Sequence, residues 1–433
     1  MRLHPRALLP LLRLRLARWP VTVLTGARQT GKTTLVRDLL PTTEELSPIY
    51  FSLDDPDERL RLAADPVRRL DHGSRLVILD EIQKQPGLLD SVKLLVDRKQ
   101  GHRFLLLGSS QILLLRQIRE TLAGRATLLE LWPLALGERV GGPVVPASGL
   151  DRIWQEGEEA LQRMAEEPPP VEVARQWRER TDEQLRWGGY PGLEPLPAEE
   201  RSVWLRDFRR TYLERDLADL GQVADLDQFA LAQNLLAART AQLLSYSEVA
   251  RDLSVTVNTV KRYTRFLEIS YQVFLLRPLM ASVSTRLVKS PKLYWTDPGL
   301  ARLLSERLSL DDGHLFETFV LDELLRWLSW QSDPPQLHFY RTHGGREVDF
   351  VVHAAQRFLA LEAKVSKRVD PRTARPLREV LEVIRLPGLQ PTAQRLALVV
   401  TRGREIEPLV PKVWAIPDWR LFGPAGEFER TPL

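Results

Sequence analysis

Three short apolar runs punctuate the first third of the chain: Val21-Thr-Val-Leu-Thr25, Leu76-Val-Ile-Leu79 and Phe104-Leu-Leu-Leu107. Polar residues barely interrupt them, which is the pattern of strands buried on both faces of a parallel sheet. Helical stretches lie between, and this alternation predicts an α/β layer. Ahead of the first run, Ala7 to Leu16 predicts a short amphipathic helix. Arg6, Arg13, Arg15 and Arg18 break every apolar run there and no small-residue cleavage site follows, so the segment does not read as a signal peptide. No apolar stretch is long enough to span a bilayer, and no membrane partner is expected.

The pattern changes beyond Gly137. Asp151 to Gln184 holds ten acidic and five basic residues, which predicts an exposed, partly helical insertion or linker over 141–184. Leu185 to Thr240 reads as helical, with a Gly188-Gly-Tyr-Pro191 turn near its start. Ser245 to Leu253 predicts a Ser-capped helix with Val249, Ala250 and Leu253 on one face. After the turn Ser254-Val-Thr256, Val257 to Ile269 predicts a second helix. It buries Val260, Tyr263 and Leu267 and turns Asn258, Thr259, Lys261, Arg262 and Arg265 outward. Tyr271 to Leu279 and Arg286 to Trp295 then resemble a wing, completing a helix-turn-helix layout. A helix and strands from Leu315 onward predict a second α/β region. The division expected is 1–140, 141–184, 185–239, 240–300 and 301–433.

A chain of 433 residues exceeds one ordinary core. Its 43% hydrophobic and 27% charged residues suit a soluble globular protein. The absence of cysteine excludes disulfides, thiolate metal sites and a Cys nucleophile, and the expected compartment is the cytoplasm. A net charge of +4 argues for no partner, but Arg239 to Lys292 holds nine basic and three acidic residues. Such clustering is an electrostatic footprint for DNA. A winged helix used for packing or dimerisation is the alternative.

Gly26-Ala27-Arg28-Gln29-Thr30-Gly31-Lys32-Thr33 fits G-x-x-x-x-G-K-[ST], with an apolar strand before it and, past Thr34, a helix over Leu35 to Leu40. Glycines let backbone N–H groups close around phosphates, Lys32 reaches the β- and γ-phosphates, and Thr33 offers a hydroxyl to Mg²⁺. The second apolar run ends in Asp80-Glu81. Asp80 is placed to hold Mg²⁺ and Glu81 to polarise water. Ser109, or its neighbour Ser110, ends the third run, as a γ-phosphate sensor or a simple helix cap. Arg125 is a candidate arginine finger, supplied in cis or by a neighbouring subunit of a homo-oligomer; a plain surface arginine is the alternative.

In the C-terminal region, Glu317 falls on a helix, Asp349 on one strand, and Glu362 and Lys364 on the next. The link between the strands is short enough for a hairpin, so Asp349 and Glu362 converge near one end. Glu362 and Lys364, two apart, share a face. Two carboxylates at such a place hold Mg²⁺ or Mn²⁺ through oxygen, with Lys364 beside the water. A surface salt-bridge ladder is the alternative reading.

With these residues in hand, the chain resembles a prokaryotic family of AAA-like P-loop ATPases that carry a winged helix and a C-terminal domain of PD-(D/E)xK nuclease-like fold. The matching residues are Gly-Ala-Arg-Gln-Thr-Gly-Lys-Thr-Thr34, Leu-Asp-Glu-Ile82, Gly-Ser-Ser110, Leu-Ala-Gly-Arg125, Gly-Gly-Tyr-Pro191, Glu-Arg-Asp216, Val-Lys-Ser-Pro-Lys-Leu-Tyr294, Thr-Asp-Pro-Gly-Leu300 and the C-terminal set. The resemblance implies an α/β protein with a P-loop parallel sheet, a helical and winged-helix middle and a restriction-endonuclease-like end. It supports an ATPase role and Arg125 as a family feature. The expected function is ATP hydrolysis coupled to DNA binding and metal-dependent DNA cleavage. The alternative is a signalling NTPase switch whose C-terminal domain binds a partner or drives assembly.

Overall fold

The apolar runs form the sheet that their pattern predicts. In the computed structural model, residues 3–40, 48–108, 118, 120–140, 144–211, 225–279, 290–342, 344–386 and 388–425 are described. β1 (Val21–Thr25), β2 (Ile49–Ser52), β3 (Leu76–Asp80), β4 (Arg103–Leu107) and β5 (Ala126–Glu130) pair in parallel in the order β2-β3-β4-β1-β5. β1 and β3 are buried at every position because helices cover both faces. On one side α1 (Leu9–Arg18) and α2 (Lys32–Thr34), with its continuation, place Leu12, Leu16, Leu35 and Val36 against Leu24, Ile78 and Leu105. On the other, α3 (Pro56–Ala64), α4 (Pro66–Leu70) and α5 (Leu88–Asp97) place Leu62, Leu70, Leu89 and Val92 against Val23, Val77 and Leu106. Parallel pairing opens the C-terminal ends of β1 and β3 on one edge, where open α/β sheets bind ligands.

The acidic stretch is not an exposed linker. α6 (Gly149–Glu156), α7 (Glu158–Glu166) and α8 (Val171–Trp187) pack into a core shared with the C-terminal region. Leu150, Ile153, Leu161, Met164 and Trp177 join Phe319, Trp419 and Phe422 there. A charge count ignores helical phase. Glu166, Glu172 and Glu179 lie away from the apolar stripe, which faces inward. Trp414 Nε1 donates to Glu158 Oε1 at 2.8 Å and Arg420 to the Met164 carbonyl at 2.6 Å, fixing the packing.

The middle region comprises α9 (Ala198–Thr211), α10 (Leu226–Ala238), α11 (Tyr246–Asp252), α12 (Val257–Ile269) and α13 (Pro298–Ser305). Beside them lies an antiparallel sheet of β6 (Gln242–Leu243), β7 (Val273–Leu276) and β8 (Lys292–Trp295), in the order β6-β8-β7. Ser245 and Thr256 cap α11 and α12 by accepting from Glu248 N and Thr259 N. Val260, Tyr263 and Leu267 are buried, and Asn258, Lys261, Arg262 and Arg265 are exposed. The boundary read at 300/301 shifts: Leu300, Ala301 and Leu304 of α13 belong to this middle core.

The last unit begins at α14 (Asp312–Ser329). β9 (Gln336–Arg341), β10 (Glu347–Ala354), β11 (Arg357–Lys364), β12 (Gln394–Thr401), β13 (Glu407–Val410) and β14 (Val413–Pro417) form one mixed sheet in the order β13-β14-β12-β11-β10-β9. α14 and α16 (Asp418–Phe422) pack on one face and α15 (Ala374–Val383) on the other. Past β7, Leu279 N donates to Phe339 O at 2.7 Å and Phe339 N to Arg277 O at 3.2 Å, so the middle sheet is bonded to the edge strand β9.

Candidate functional site

The first site lies at the C-terminal edge of the parallel sheet. Gly26 leaves β1 with φ +145°, and a Cβ there would sit 2.2 Å from the Leu131 carbonyl oxygen, so only glycine fits the turn. Ala27, Arg28, Gln29 and Thr30 carry the chain to Gly31, which precedes α2 with no side chain capping it. Lys32 Nζ donates to the carbonyls of Gly26 at 2.9 Å and Ala27 at 2.7 Å. Thr33 Oγ1 donates to Asp80 Oδ2 at 3.0 Å, joining the loop to the end of β3. Thr34 and Leu35 line a cavity of about 270 Å³ with Gly31, Arg6, Pro191 and Glu194. The donor set fits a triphosphate with a hard divalent cation: an ammonium, a hydroxyl beside a carboxylate, and an uncapped helix start.

Glu81 follows Asp80 in left-handed backbone conformation, φ +57°. Burial first, and then the Asp80 charge, push its carboxyl above the ordinary range, and Gln83 donates to it. A half-buried carboxylate of raised pKa at this position is suited to accept a proton. Ser109, Ser110 and the Glu-Arg-Asp216 motif lie outside the described residues.

Arg125 is remote from this edge. It precedes β5, whose Ala126 pairs with Val21 at the start of β1, whereas the phosphate loop leaves β1 at its other end. Four strand steps of about 3.3 Å, roughly 13 Å, separate the two ends. The guanidinium is held by Asp97, at 2.6 Å to Oδ1 and 3.1 Å to Oδ2. Of the two alternatives for a finger, the geometry removes the one in cis.

The second site is in the C-terminal sheet. β10 and β11 are antiparallel with Phe350 opposite Leu361, which sets Asp349 beside Glu362. Asp349 Oδ2 accepts the Ala363 N–H at 3.0 Å, and Lys364 Nζ donates to Glu362 Oε1 at 2.7 Å. Glu317 comes from α14. The expected carboxylates are thus brought together, but around a residue of the middle region. Lys292 Nζ lies 2.8 Å from Glu317 Oε1 and 3.3 Å from Asp349 Oδ1, and also pairs with Glu347. Tyr294 donates its hydroxyl to Glu317 Oε1 at 2.5 Å. Burial opposes charge on Lys292, but Asp349, Glu317 and Glu347 outweigh it and hold the ammonium above its ordinary pKa. Burial and then the Asp349 charge push Glu317 up to about 8, and the same causes push Glu362 up to about 8.

Two expectations change here. Among the described residues no group of three or more His, Asp or Glu side chains is arranged to hold a metal ion. A divalent cation between Asp349 and Glu362 does not fit while Lys292 and the Ala363 N–H take the Asp349 oxygens and Lys364 takes Glu362 Oε1. Lys292, counted in the basic cluster, is also withdrawn from any surface footprint, its side chain being only 3% exposed. Lys292, Tyr294 and Glu347 were missed as site residues. The available signal was period two: Lys292 and Tyr294 alternate with apolar Leu293 and Trp295, and Glu347 stands two before Asp349. Tyr50, which donates to Asp80, and Arg6, which donates to the Thr30 carbonyl at 2.7 Å, had no signal in the sequence.

Residues 18–140 match a family described as an AAA domain. Residues 178–311 and 312–420 match two domains of unknown function, DUF8612 and DUF4143. The uncharacterized protein Rv2008c of Mycobacterium tuberculosis is 33% identical over 414 residues, covering 94% of this chain and 82% of that protein. The uncharacterized protein MJ1544 of Methanocaldococcus jannaschii is 22% identical over 351 residues, covering 78% and 73%. Among solved structures, the Thermotoga maritima RuvB Holliday junction branch migration motor is 16% identical with a TM-score of 0.27, covering 62% of this chain and 87% of that one. So low a score carries no weight for function.

Proposed function

The chain belongs to the family of the mycobacterial protein Rv2008c, its AAA domain included, and from that premise we propose that it hydrolyses ATP and couples hydrolysis to engagement of DNA. The observation that carries the first part is the Thr33–Asp80 hydrogen bond of 3.0 Å beneath the phosphate loop, with half-buried Glu81 next in sequence. Lys32 would hold the β- and γ-phosphates, and Thr33 and Asp80 would hold Mg²⁺. Bound Mg²⁺ supplies charge neutralisation on the phosphate oxygens. Glu81 orients the attacking water and takes its proton on the carboxylate. The cavity bounded by His4, Arg6, Pro191 and Glu194 would take the nucleoside end. Arg125 would act on a neighbouring subunit's nucleotide, which makes the working form a homo-oligomer.

The DNA part rests on α12. Its exposed face carries Asn258, Lys261, Arg262 and Arg265, its buried face is apolar, and the β7–β8 pair follows as a wing. A helix of this composition in a helix-turn-helix suits the major groove. Cleavage by the C-terminal domain is the second reading, favoured by the gathering of Glu317, Asp349, Glu362 and Lys364 in one cluster.

The test is ATP turnover by the full chain with and without duplex DNA, beside Lys32→Ala and a Lys261→Ala/Arg262→Ala/Arg265→Ala triple variant. Turnover lost in the first and DNA affinity lost in the second, with a shallower salt dependence, are expected. Turnover that ignores DNA, together with DNA affinity equal in wild type and triple variant, would leave a nucleotide switch whose C-terminal domain binds a partner. A DNA-cutting time course in Mg²⁺ and in Mn²⁺, with Glu362→Ala alongside, decides the second reading.

A further inference from the structure

We propose that Tyr50 is a positioning residue of the phosphate-loop site: its hydroxyl fixes Asp80 Oδ2 beside Thr33 and leaves Oδ1 to meet the divalent cation or a water bound to it. The proposal rests on the nucleotide reading above. Among the described residues three donors reach Asp80. Thr33 Oγ1 donates to Oδ2 at 3.0 Å, the Tyr50 hydroxyl donates to the same oxygen, and the Glu81 N–H donates to Oδ1 at 3.0 Å. An ionised carboxylate offers about four lone-pair positions, so about one is left, on Oδ1. Held at both oxygens, the carboxylate cannot turn. Thr33 has one hydroxyl proton, and while Oδ2 takes it the lone pairs of Oγ1 stay free for a cation. Without the Tyr50 donor, Oδ2 keeps Thr33 alone, and the acceptor that orients the Thr33 hydroxyl is loosened.

The sheet aims the phenol. β2 and β3 run parallel with Tyr50 beside Ile78 and Ser52 beside Asp80. Side chains alternate along a strand, so Tyr50, Ile78 and Asp80 share one face. The long phenol spans the two-residue offset to Asp80. Ser52 is level with Asp80, but its N–H donates to Glu58 Oε2 at 2.5 Å instead. The ring is held in two ways. It packs against the core that contains Leu24, Leu35 and Ile78. The Arg37 guanidinium, from the continuation of α2, lies 4.0 Å from its centroid. Phenylalanine would make both ring contacts, so the bond to Asp80 is what tyrosine adds. Groups that hydrogen-bond a metal-ligating carboxylate set its orientation and so the metal affinity.

The experiment measures Mn²⁺ affinity of the full chain by electron paramagnetic resonance. A non-hydrolysable ATP analogue is present below the protein concentration, so that all of it is bound. Tyr50→Phe is expected to weaken Mn²⁺ binding about 10–100-fold. Its affinity for the analogue in EDTA is expected to match the unaltered chain, because Lys32 and the loop are untouched. In an Asp80→Ala background, Tyr50→Phe is expected to change Mn²⁺ affinity no further, since the hydroxyl acts through that carboxylate. A loss of the same size in that background overturns the proposal. So does a Tyr50→Phe chain whose melting temperature falls while its Mn²⁺ affinity holds, which is the mark of a purely structural hydroxyl. Thr33→Ala runs alongside to separate two failures. Undiminished Mn²⁺ affinity in Thr33→Ala removes the nucleotide-site reading itself. Weakened binding in Thr33→Ala, with Tyr50→Phe equal to the unaltered chain, leaves that reading standing and overturns the role of Tyr50.

Discussion

Lys292 Nζ and Glu317 Oε1 lie 2.8 Å apart and tie strand β8 of the middle region to helix α14 of the last unit. Neither group is well solvated: the side chains are 3% and 12% exposed. Removing one partner of a buried pair strands the other's charge. Lys292→Met should therefore destabilise the fold by about 3–5 kcal/mol. Pairing it with Glu317→Gln should cost less than the sum of the two single changes. Chemical denaturation of the four proteins checks this, and strictly additive losses would argue against a direct pair.

Stability should also fall as pH rises from mildly acidic to mildly basic. Glu317 and Glu362 have folded pKa values pushed up to about 8, against an ordinary value of 4.5. The folded state thus holds protons that the unfolded state has released. Their contribution is fully present below pH 4.5 and is lost as pH climbs through about 8. Glu317→Gln should flatten this part of the profile, measured as melting temperature against pH.

At the phosphate loop, Glu81→Gln should keep nucleotide binding and lower turnover by about 10²–10⁴-fold. Lys32→Ala should lose binding itself. Fluorescent-nucleotide titration and phosphate release separate the two effects. A Glu81→Gln protein with undiminished turnover would assign the proton transfer elsewhere.

Arg125 sits at the far end of the sheet, paired with Asp97. If it serves a neighbouring subunit, Arg125→Ala and Lys32→Ala proteins should each be inactive alone and regain turnover when mixed. The recovery should depend on total protein concentration. No recovery, with both proteins assembled, would reduce Arg125 to a surface pair.

Much of the candidate phosphate site was legible because its signals are local. The loop glycines, Lys32 and Thr33 are close in sequence, and Asp80-Glu81 ends an apolar run whose parallel neighbours force it onto the same edge. The two capped helices of the middle region were legible for the same reason, through Ser245 and Thr256 and a stripe of Val260, Tyr263 and Leu267. The acidic stretch failed because net charge says nothing of which helical face carries the apolar residues.

The sequence by itself determined the phosphate-loop residues, the main strands of the first sheet and the convergence of Asp349 with Glu362 across a hairpin. Those depend on short-range geometry: strand period, helix caps and glycine conformations. Only the tertiary structure decided which cation the C-terminal carboxylates meet, and which end of the first sheet Arg125 occupies. Both follow from long-range packing, the bonding of the middle sheet to β9 and the register of β5 beside β1. A lysine that adds to a basic surface on a charge count becomes a buried partner of Glu317 once β8 is laid against α14.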